Sequence, residues 1–472
     1  MEAMINAIEQ VNDVVNSFVW GPPMLILLLF VGIYFSIRLR FFQIRRFGFV
    51  FKETICATFS KKTTNEPKNQ RAITQFQALS AALASTIGTG NIVGVATAMA
   101  AGGPGAVFWM WVSAFFGMMT HFAENVLGIF YRHITKKGDW CGGAMIYIEK
   151  GLHCKWLAVL FSVFCLFASF GIGNIAQINS IATSLEESLT IPPIVTGIVL
   201  AAILAFVLIG GLKRIAAVAE KLVPFMAFIY IIGALVIIVM NIKQIPTAFV
   251  SIFKSAFSFQ SFGGGIMGYG ITLAIRYGVA RGVFSNEAGL GSSVMVHSSA
   301  DVEEPVKQGL WGIFEVFFDT IIICTLTALV ILCTGALDIG GEGATITMNA
   351  FTKGFGSFGG IFLSFAILLF AFTTVLSWSY YGQRAVEYLF GQKMVIVYQI
   401  LFIAVVVVGS ISAVQIVWDL SDTFNGLMAL PNLVGILLLS PKVVKITKNY
   451  IARRFQKQSI PPILSADQEQ TK

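Results

Sequence analysis

Apolar runs of roughly 20 residues, separated by short polar segments, recur along this 472-residue chain. A helix of about 20 residues crosses a hydrocarbon core about 30 Å thick, so each run predicts a transmembrane helix. The pattern predicts eleven such helices, of which the first covers residues 15–37. The other ten are centred near Ile87, Gly117, Phe170, Leu204, Ile229, Gly270, Ile323, Phe370, Val406 and Val434.

Composition supports a polytopic, all-α membrane protein. Hydrophobic residues make up 56% of the chain, charged residues 12%, and the mean hydropathy is +0.79. The segments between the apolar runs are too short to hold a soluble domain. The amino terminus is acidic and lacks the positive region of a signal peptide, so we expect no cleaved leader.

The distribution of basic residues predicts the orientation, because Lys and Arg accumulate in cytoplasmic loops. With the amino terminus outside and the carboxyl terminus inside, all but three of the 32 Lys and Arg residues fall on the cytoplasmic side; the exceptions are Lys243, Lys254 and Lys353. The net charge of +8 then requires no nucleic-acid partner. It belongs to the cytoplasmic rim and to a basic tail suited to anionic membrane lipid.

The cysteines, histidines and glycines of the sequence do not form a known enzyme motif. The six cysteines show no CxxC spacing, the four histidines are dispersed, and phosphate-binding and dinucleotide-binding glycine motifs are missing from the sequence. We therefore expect no catalytic activity and no cofactor.

The segment STIGTGNIVG, residues 85–94, interrupts the second apolar run with glycine and polar residues. Glycines weaken a helix, and irregular backbone at membrane depth is tolerated only inside protein or beside a cavity. A break between Ile87 and Gly90 would direct carbonyls toward one point and amides toward another, which suits a cation and a carboxylate. The alternative is close helix packing through Gly90 and Gly94. The adjacent Thr86, Thr89 and Asn91 favour a binding site.

A second glycine-rich interruption, FGGGIMGYG, spans residues 262–270. The two interrupted helices are the first and the sixth of the ten later spans. Interrupted helices at matching positions of two five-helix halves indicate an inverted-repeat transporter with its site near the membrane midplane. We assign Met267 and Gly268 to that site, although Gly278 and Gly282 are rival positions for the break.

Three long segments make the chain recognisable: IGTGNIVGVATAMAAGGPGAVFWMWVSAFFGMMTHFAENVLG (87–128), RYGVARGVFSNEAGLGSS (276–293) and WSYYGQRAVEYLFG (378–391). They resemble the alanine or glycine:cation symporter family over nearly the whole chain. The resemblance implies a sodium-driven symporter of alanine, glycine or a similar small amino acid in a prokaryotic plasma membrane. It also implies a leucine-transporter-type 5+5 inverted repeat preceded by one extra helix.

This fold divides the chain into four regions. Residues 1–72 hold the extra helix and a basic cytoplasmic loop, 73–242 the first five-helix repeat, 243–440 the second repeat, and 441–472 the cytoplasmic tail.

The resemblance also implies roles for the first core helix. The amides of Thr89 and Gly90 would bind the substrate carboxylate, and Asn91 would offer its side-chain oxygen to sodium or to the substrate ammonium group. The carbonyls that would face sodium are those of Ala84, Thr86 and Ile87.

In such folds the eighth core helix forms the other wall of a sodium site. Here it offers Thr373, Thr374 and Ser377. The alternative is that these hydroxyls bond back to carbonyls of their own helix.

The third core helix carries amides at membrane depth, which are costly unless they face a cavity or a partner helix. Asn174 and Gln177 are three residues apart and share a helix face, so they are candidates for substrate contact or for interhelical hydrogen bonds. Trp378, Met267 and Phe284 are candidates for the wall of a small pocket, or for ordinary packing.

Buried acidic residues leave two assignments open. We favour Glu124 as an acceptor for backbone amides freed by the broken helices, rather than as a proton relay with His121. Glu315 and Asp319 either bind a cation or a proton, or pair with Arg276 or Arg281. The segment SNEAGLGSS, which follows the sixth span, is interpreted as a folded loop at the cytoplasmic mouth.

Three functions remain open at this point. The first is sodium-coupled amino-acid symport, and the second is proton-coupled transport by the same fold. The third is a non-cycling channel or sensor, although the sequence has neither a repeated filter segment nor a soluble output domain.

Overall fold

The computed structural model describes residues 2–58, 72–135, 138–258, 269–341, 343–412 and 415–465, and these are mostly helical. Ten helical segments, which we number core helices 1 to 10, form the body of the molecule. They are Gln75–Thr86 with Gly90–Gly102, Gly105–Tyr131, Lys155–Leu189, Pro193–Leu208, Gly211–Met240, Tyr269–Asn286, Pro305–Thr334, Ser357–Phe390, Met394–Ile411 and Gln415–Leu438.

Shorter elements connect these helices. The two strands, His133–Ile134 and Trp140–Cys141, form an antiparallel hairpin. The helices outside the core are Glu2–Val19, Pro22–Arg38, Phe42–Arg45, Phe47–Phe51, Lys52–Cys56, Ala144–Leu152, Ile242–Gln244, Ile245–Ala256, Val294–His297, Leu337–Ile339, Gly343–Phe355 and Ser440–Gln456.

Length and apolar composition qualify seven helices of the described chain to cross a membrane, or up to nine when each of two bent helix pairs counts as one span. Their outward faces carry large exposed apolar side chains. Phe206 is 68% exposed, Phe228 64% and Ile400 64%. A soluble monomer rarely exposes so much apolar surface, so these faces fit contact with lipid and a multi-pass membrane protein.

The first apolar run, expected as one span over 15–37, counts as one candidate membrane span over Glu9–Arg38. The structure contains two helices there, Glu2–Val19 and Pro22–Arg38, separated at Trp20 and Gly21. Proline is favoured in the first turn of a helix, where its missing N–H costs nothing, so the second helix starts at Pro22. This helix packs on core helix 2, with Gly32 against the backbone of Phe116.

The core helices form two packed groups. Core helix 2 lies against core helices 6 and 7, and core helix 6 also packs on core helix 1. Core helix 3 packs on core helices 8 and 10, while core helix 4 packs on core helix 9. Core helix 1 contacts core helices 5 and 8 along its first half. The two groups therefore meet along core helix 1.

The sixth core helix is continuous from Tyr269 to Asn286, so a break at Gly278 or Gly282 is wrong. A Cβ atom on Gly278 would lie 2.4 Å from the carbonyl oxygen of Ala106. This glycine therefore allows close packing on core helix 2. Met267 and Gly268, which we assigned to the site, lie outside the described residues.

Gly32→Ala tests the packing of the second amino-terminal helix on the core. Its Cβ would lie 2.6 Å from the backbone oxygen of Phe116, and backbone cannot easily move away. We expect the variant to lose about 1–3 kcal/mol of unfolding free energy through overpacking. Thermal unfolding of the detergent-purified protein measures the loss.

Gly360→Ala is the matched control, since its Cβ would meet only the flexible Met348 sulfur at 3.6 Å. It should be neutral or stabilising by about 0.5–1 kcal/mol. Equal melting temperatures for the two variants would contradict the close contact at Gly32.

Candidate functional site

Core helix 1 is broken where its sequence is richest in glycine and polar residues. Its first half ends at Thr86, its second half begins at Gly90, and the two halves are bent by 51°. Ile87 leaves the helical conformation with φ −78° and ψ 86°, and residues 90–94 form a π-helical turn. The predicted break between Ile87 and Gly90 is confirmed.

Asn91 stabilises the break from the carboxyl-terminal side. Its Oδ1 accepts a hydrogen bond of 2.9 Å from the amide of Gly88. Its Nδ2 donates to Oδ1 of Asp319 at 2.7 Å and to the Asp319 carbonyl at 3.3 Å. The side chain therefore connects the broken backbone to core helix 7.

Asp319 is the acidic residue that the structure brings to the break. Its Oδ2 accepts hydrogen bonds from Ser285 at 2.9 Å and Thr320 at 2.8 Å. It lies within a π-helical turn, Phe317–Cys324, and is fully buried. π-helical turns within α-helices occur frequently at functional sites. Core helices 1, 6 and 7 thus meet at one buried carboxylate.

Ion pairs of Glu315 and Asp319 with Arg276 or Arg281 are one of the two assignments that the sequence leaves open, and this prediction is wrong for Asp319. Arg281 instead lies 3.6 Å from Asp422 of core helix 10. The structure also places Glu315 elsewhere, against two histidines. Of the two acids, only Asp319 belongs to the site at the break.

Core helix 8 presents hydroxyl groups to the first half of core helix 1. Ser377 donates to the carbonyl of Ala81 at 2.7 Å, and Thr374 lies 3.5 Å from the carbonyl of Ser85. A Cβ atom on Gly88 would lie 2.5 Å from the Thr374 hydroxyl. Thr374 and Ser377 therefore face core helix 1, although Thr374 also donates to the Phe370 carbonyl of its own helix at 3.0 Å, the alternative given for these hydroxyls.

Thr373 does not face core helix 1. Its hydroxyl lies 3.5 Å from the sulfur of Met226 and bonds back to the Leu369 and Phe370 carbonyls. Adjacent helical residues point in directions about 100° apart, and here the two consecutive threonines contact different helices. The interpretation of Thr373 as a sodium ligand is corrected, because its hydroxyl makes the bonds back to its own helix that the alternative expects.

The carbonyls expected to face sodium lie in the last turn before the break. Ala84 and Ile87 are buried, and the Thr86 hydroxyl is 3.4 Å from the Ala82 carbonyl of its own helix. Ser85 from the same turn shares a hydrogen bond of 2.8 Å with the hydroxyl of Tyr381. This turn is therefore held against core helix 8 at several points.

The two amides of core helix 3 have different surroundings. Asn174 donates to the carbonyl of Phe402 in core helix 9 at 2.8 Å, which is the interhelical alternative. Gln177 donates to the Ile172 carbonyl at 3.1 Å. Its Oε1 would be 3.6 Å from a Cβ on Gly88. Only Gln177 lies beside the break.

Trp378 packs beside a π-helical turn within core helix 3, Gly171–Ile175. A Cβ atom on Gly173 would lie 2.5 Å from the Trp378 side chain, and the indole ring meets Tyr381 edge to face at 5.4 Å. Of the two roles considered for Trp378, pocket wall or ordinary packing, these contacts correspond to packing. Phe284 instead lies at a cavity beside the break.

A cavity of about 790 Å³ reaches the second half of core helix 1. It is large enough for a small organic ligand, which typically occupies pockets of about 300–1,000 Å³. Its lining includes Thr89, Gly94, Thr97, Ile172, Asn179, Glu187, Arg281, Phe284, Asp419 and Asp422. Charged residues therefore line a cavity beside the second half of the broken helix.

Glu124 accepts a backbone amide, as expected, but from a different segment. Its Oε1 accepts from the amide of Gly291 at 3.1 Å and from Asn432 Nδ2 at 2.5 Å. Gly291 lies in the loop SNEAGLGSS, so the expectation that Glu124 serves the broken helices is corrected. This loop is folded and buried, in agreement with the sequence interpretation.

Sequence reasoning missed Ser285 and left Asp319 unassigned. Ser285 ends an apolar run and Asp319 lies within one, and their convergence depends on how core helices 6 and 7 pack. The signal that existed was the polar pair SN at the end of an apolar helix, since buried polar groups require partners.

Comparisons with known proteins agree with this geometry. Residues 5–463 match the model of the sodium:alanine symporter family. The chain is 46% identical over 446 residues to the sodium/alanine symporter AgcS of Methanococcus maripaludis, covering 93% of this chain and 96% of that protein. It is 40% identical to the amino-acid carrier protein AlsT of Bacillus subtilis, covering 99% and 96%.

Solved structures place the architecture among leucine-transporter-type folds. MhsT in complex with L-phenylalanine superposes with a TM-score of 0.55, covering 82% of this chain and 99% of that one at 14% identity. At this identity the likeness concerns the fold alone. The family match over nearly the whole chain, and the identity to its relatives, show that this protein belongs to the sodium:alanine symporter family.

Proposed function

We propose that the protein imports a small neutral amino acid, alanine or glycine, together with sodium by alternating access. One observation carries the proposal: the broken backbone of core helix 1 lies between the Asp319 cluster and the hydroxyls of core helix 8. A break with oxygen ligands on both sides suits a zwitterion and cations at once.

The first proposed sodium site is formed by Asn91, Ser285 and Asp319. Sodium is a hard cation and, like calcium and magnesium, takes carboxylate, hydroxyl and amide oxygens. Ser285 Oγ lies 2.9 Å from Asp319 Oδ2, so two oxygen donors already converge. Asn91 holds the Asp319 carboxylate in place through its Nδ2. The buried negative charge of Asp319 supports this site, because a cation neutralises it.

The second proposed sodium site lies between Thr374 and Ser377 on core helix 8 and the carbonyls of Ala84, Thr86 and Ile87. Hydroxyl and carbonyl oxygens at the end of a half-helix form the ligand set that inverted-repeat transporters use for a coupling ion. The contacts of Ser377 and Thr374 with the Ala81 and Ser85 carbonyls support this position, since both lie in the same two turns.

The proposed substrate site adjoins both. The amides of Thr89 and Gly90, at the start of the second half-helix, would bind the carboxylate, and Gln177 would contact the substrate from core helix 3. A Cβ on Gly90 would lie 3.3 Å from Ser285 and 3.4 Å from the Phe284 ring. This close packing on core helix 6 confines the proposed site on one side, which supports a small amino acid as the substrate.

Transport would proceed by movement of core helices 1, 2, 6 and 7 relative to core helices 3, 4, 8 and 9. Sodium and the amino acid stabilise each other's sites through charge, and the loaded protein would then expose the site to the cytoplasm. Coupling requires that the sodium-free, substrate-loaded form be disfavoured.

We also propose the number of spans, the internal repeat and the membrane orientation. These are eleven spans, the 5+5 repeat over 73–242 and 243–440, and a prokaryotic plasma membrane with the amino terminus outside. The carboxyl-terminal segment 441–472, part of which forms the helix Ser440–Gln456, would lie on cytoplasmic lipid headgroups.

Proton coupling is the second candidate, because Asp319 is a buried carboxylate beside the break.

Uptake of labelled alanine into proteoliposomes separates the two candidates. We expect accumulation with an inward sodium gradient and none when potassium replaces sodium. Accumulation driven by an inward proton gradient without sodium would contradict sodium coupling. No alanine or glycine uptake under any gradient would contradict the proposed substrates.

Asp319→Asn tests the first sodium site. The substitution removes the charge and keeps the size of the side chain. It should raise the sodium concentration needed for half-maximal uptake about 10- to 100-fold, because a contact with a charged group contributes about 1.5–3 kcal/mol. The measurement is the sodium concentration that gives half-maximal alanine uptake. The exposed Asp338→Asn is the control. An unchanged value for Asp319→Asn would rule out its carboxylate as a ligand.

Thr374→Ala and Thr373→Ala form a matched pair for the second site. They remove the same hydroxyl from adjacent positions, but only Thr374 faces core helix 1. We expect Thr374→Ala to raise the half-maximal sodium concentration about 2- to 10-fold, as for one lost neutral contact. Thr373→Ala should leave it nearly unchanged. Equal effects, or the reverse order, would sink this assignment.

A further inference from the structure

A second polar cluster lies away from the break, and the transport proposal makes no use of it. It consists of two histidines and a glutamate from three separate segments: His121 of core helix 2, His297 of the short helix Val294–His297, and Glu315 of core helix 7. All three side chains are buried. Burying so many ionisable groups is costly unless they are paired or bind a metal.

The cluster converges on a single point. Glu315 Oε2 lies 3.1 Å from His121 Nε2 and 2.6 Å from His297 Nε2. One possible ligand atom from each residue lies within 4.8 Å of the others. Both histidines thus point the same ring nitrogen at the same carboxylate oxygen.

The other ring nitrogens lie beside groups of the kind that orient metal-binding histidines. His121 Nδ1 lies 3.1 Å from Oε2 of Glu124 without a hydrogen bond, and His297 Nδ1 lies 2.6 Å from Nε2 of Gln308. A carboxylate or amide oxygen that accepts the Nδ1 proton leaves the Nε2 lone pair free for a metal. A small turn of the Glu124 carboxylate and a flip of the Gln308 amide, which exchanges its oxygen and nitrogen, would give both histidines this arrangement.

We propose that His121, His297 and Glu315 form a binding site for a divalent transition metal of the zinc class. Two imidazoles and one carboxylate are an established zinc ligand set, and the fourth position is left for water or a nearby hydroxyl. Ser293, whose Oγ lies 2.9 Å from His121 Nε2, is close enough to supply it.

The ligand chemistry separates this site from those proposed for sodium. Hard cations such as sodium take oxygen ligands, whereas imidazole nitrogen selects zinc, copper, nickel and their neighbours. A dication also offsets the two buried carboxylates, Glu124 and Glu315, better than a monovalent ion does.

A bound ion would connect core helices 2 and 7 to the loop SNEAGLGSS. Ser293 is the last residue of this loop and His297 ends the short helix that follows it, while Glu124 accepts from the amide of Gly291 within the loop. Anything that binds the folded form and not the unfolded form raises its stability. We therefore expect zinc to stabilise the protein in this arrangement.

The test is zinc binding by the full-length chain, purified without a polyhistidine tag and stripped with a chelator. Equilibrium dialysis against radioactive zinc should give one equivalent per chain, and zinc should raise the melting temperature. His297→Asn and Glu315→Gln should remove both effects. His153→Asn is the matched control, because His153 lies outside the cluster with a left-handed backbone that asparagine tolerates.

Glu124→Gln keeps all three ligands, removes the charge beside His121 Nδ1 and leaves an amide oxygen for the Gly291 amide and Asn432. It should therefore weaken zinc binding about 10- to 100-fold. If His297→Asn does not fold, cobalt absorption of the unmodified protein decides the matter. A tetrahedral spectrum is expected. An octahedral spectrum, substoichiometric zinc, or equal binding by the His297→Asn and His153→Asn variants would overturn the site and leave a metal-free, proton-linked cluster.

Discussion

The hydrogen bonds of Asn91 are the interaction on which the site depends. A break in a helix at membrane depth leaves backbone groups unpaired, and each unpaired group costs several kcal/mol in hydrocarbon. Asn91 accepts from the Gly88 amide and donates to Asp319, which in turn accepts from Ser285. The opening in core helix 1, the end of core helix 6 and the π-helical turn of core helix 7 are thus held by one buried carboxylate.

This constraint also accounts for the two walls of the site. On one side, core helices 6 and 7 supply charge through Asp319. On the other, core helix 8 supplies neutral oxygens through Thr374 and Ser377, which contact carbonyls of the first half-helix. Because the break lies where the two groups of helices meet, a ligand bound there contacts both groups. This is the arrangement that lets binding control their relative position.

The sequence predicted features that depend on local chemistry. Glycine and threonine content located the break at Ile87 to Gly90, and apolar run length together with basic residues indicated a multi-pass membrane protein. Features that depend on packing between distant helices were not accessible. The different directions of Thr373 and Thr374, the bond from Asn174 to core helix 9, and the meeting of His121, His297 and Glu315 all require knowledge of which helix faces which.

The most direct measurement is an electron cryo-microscopy map of the protein in lipid nanodiscs with saturating sodium and alanine, at a resolution that shows bound ions. We expect the alanine carboxylate at the amides of Thr89 and Gly90, with ion density beside Asp319 and beside Thr374. Amino-acid density elsewhere, or an unbroken helix through residues 86–91, would contradict the proposal that the broken backbone binds the substrate.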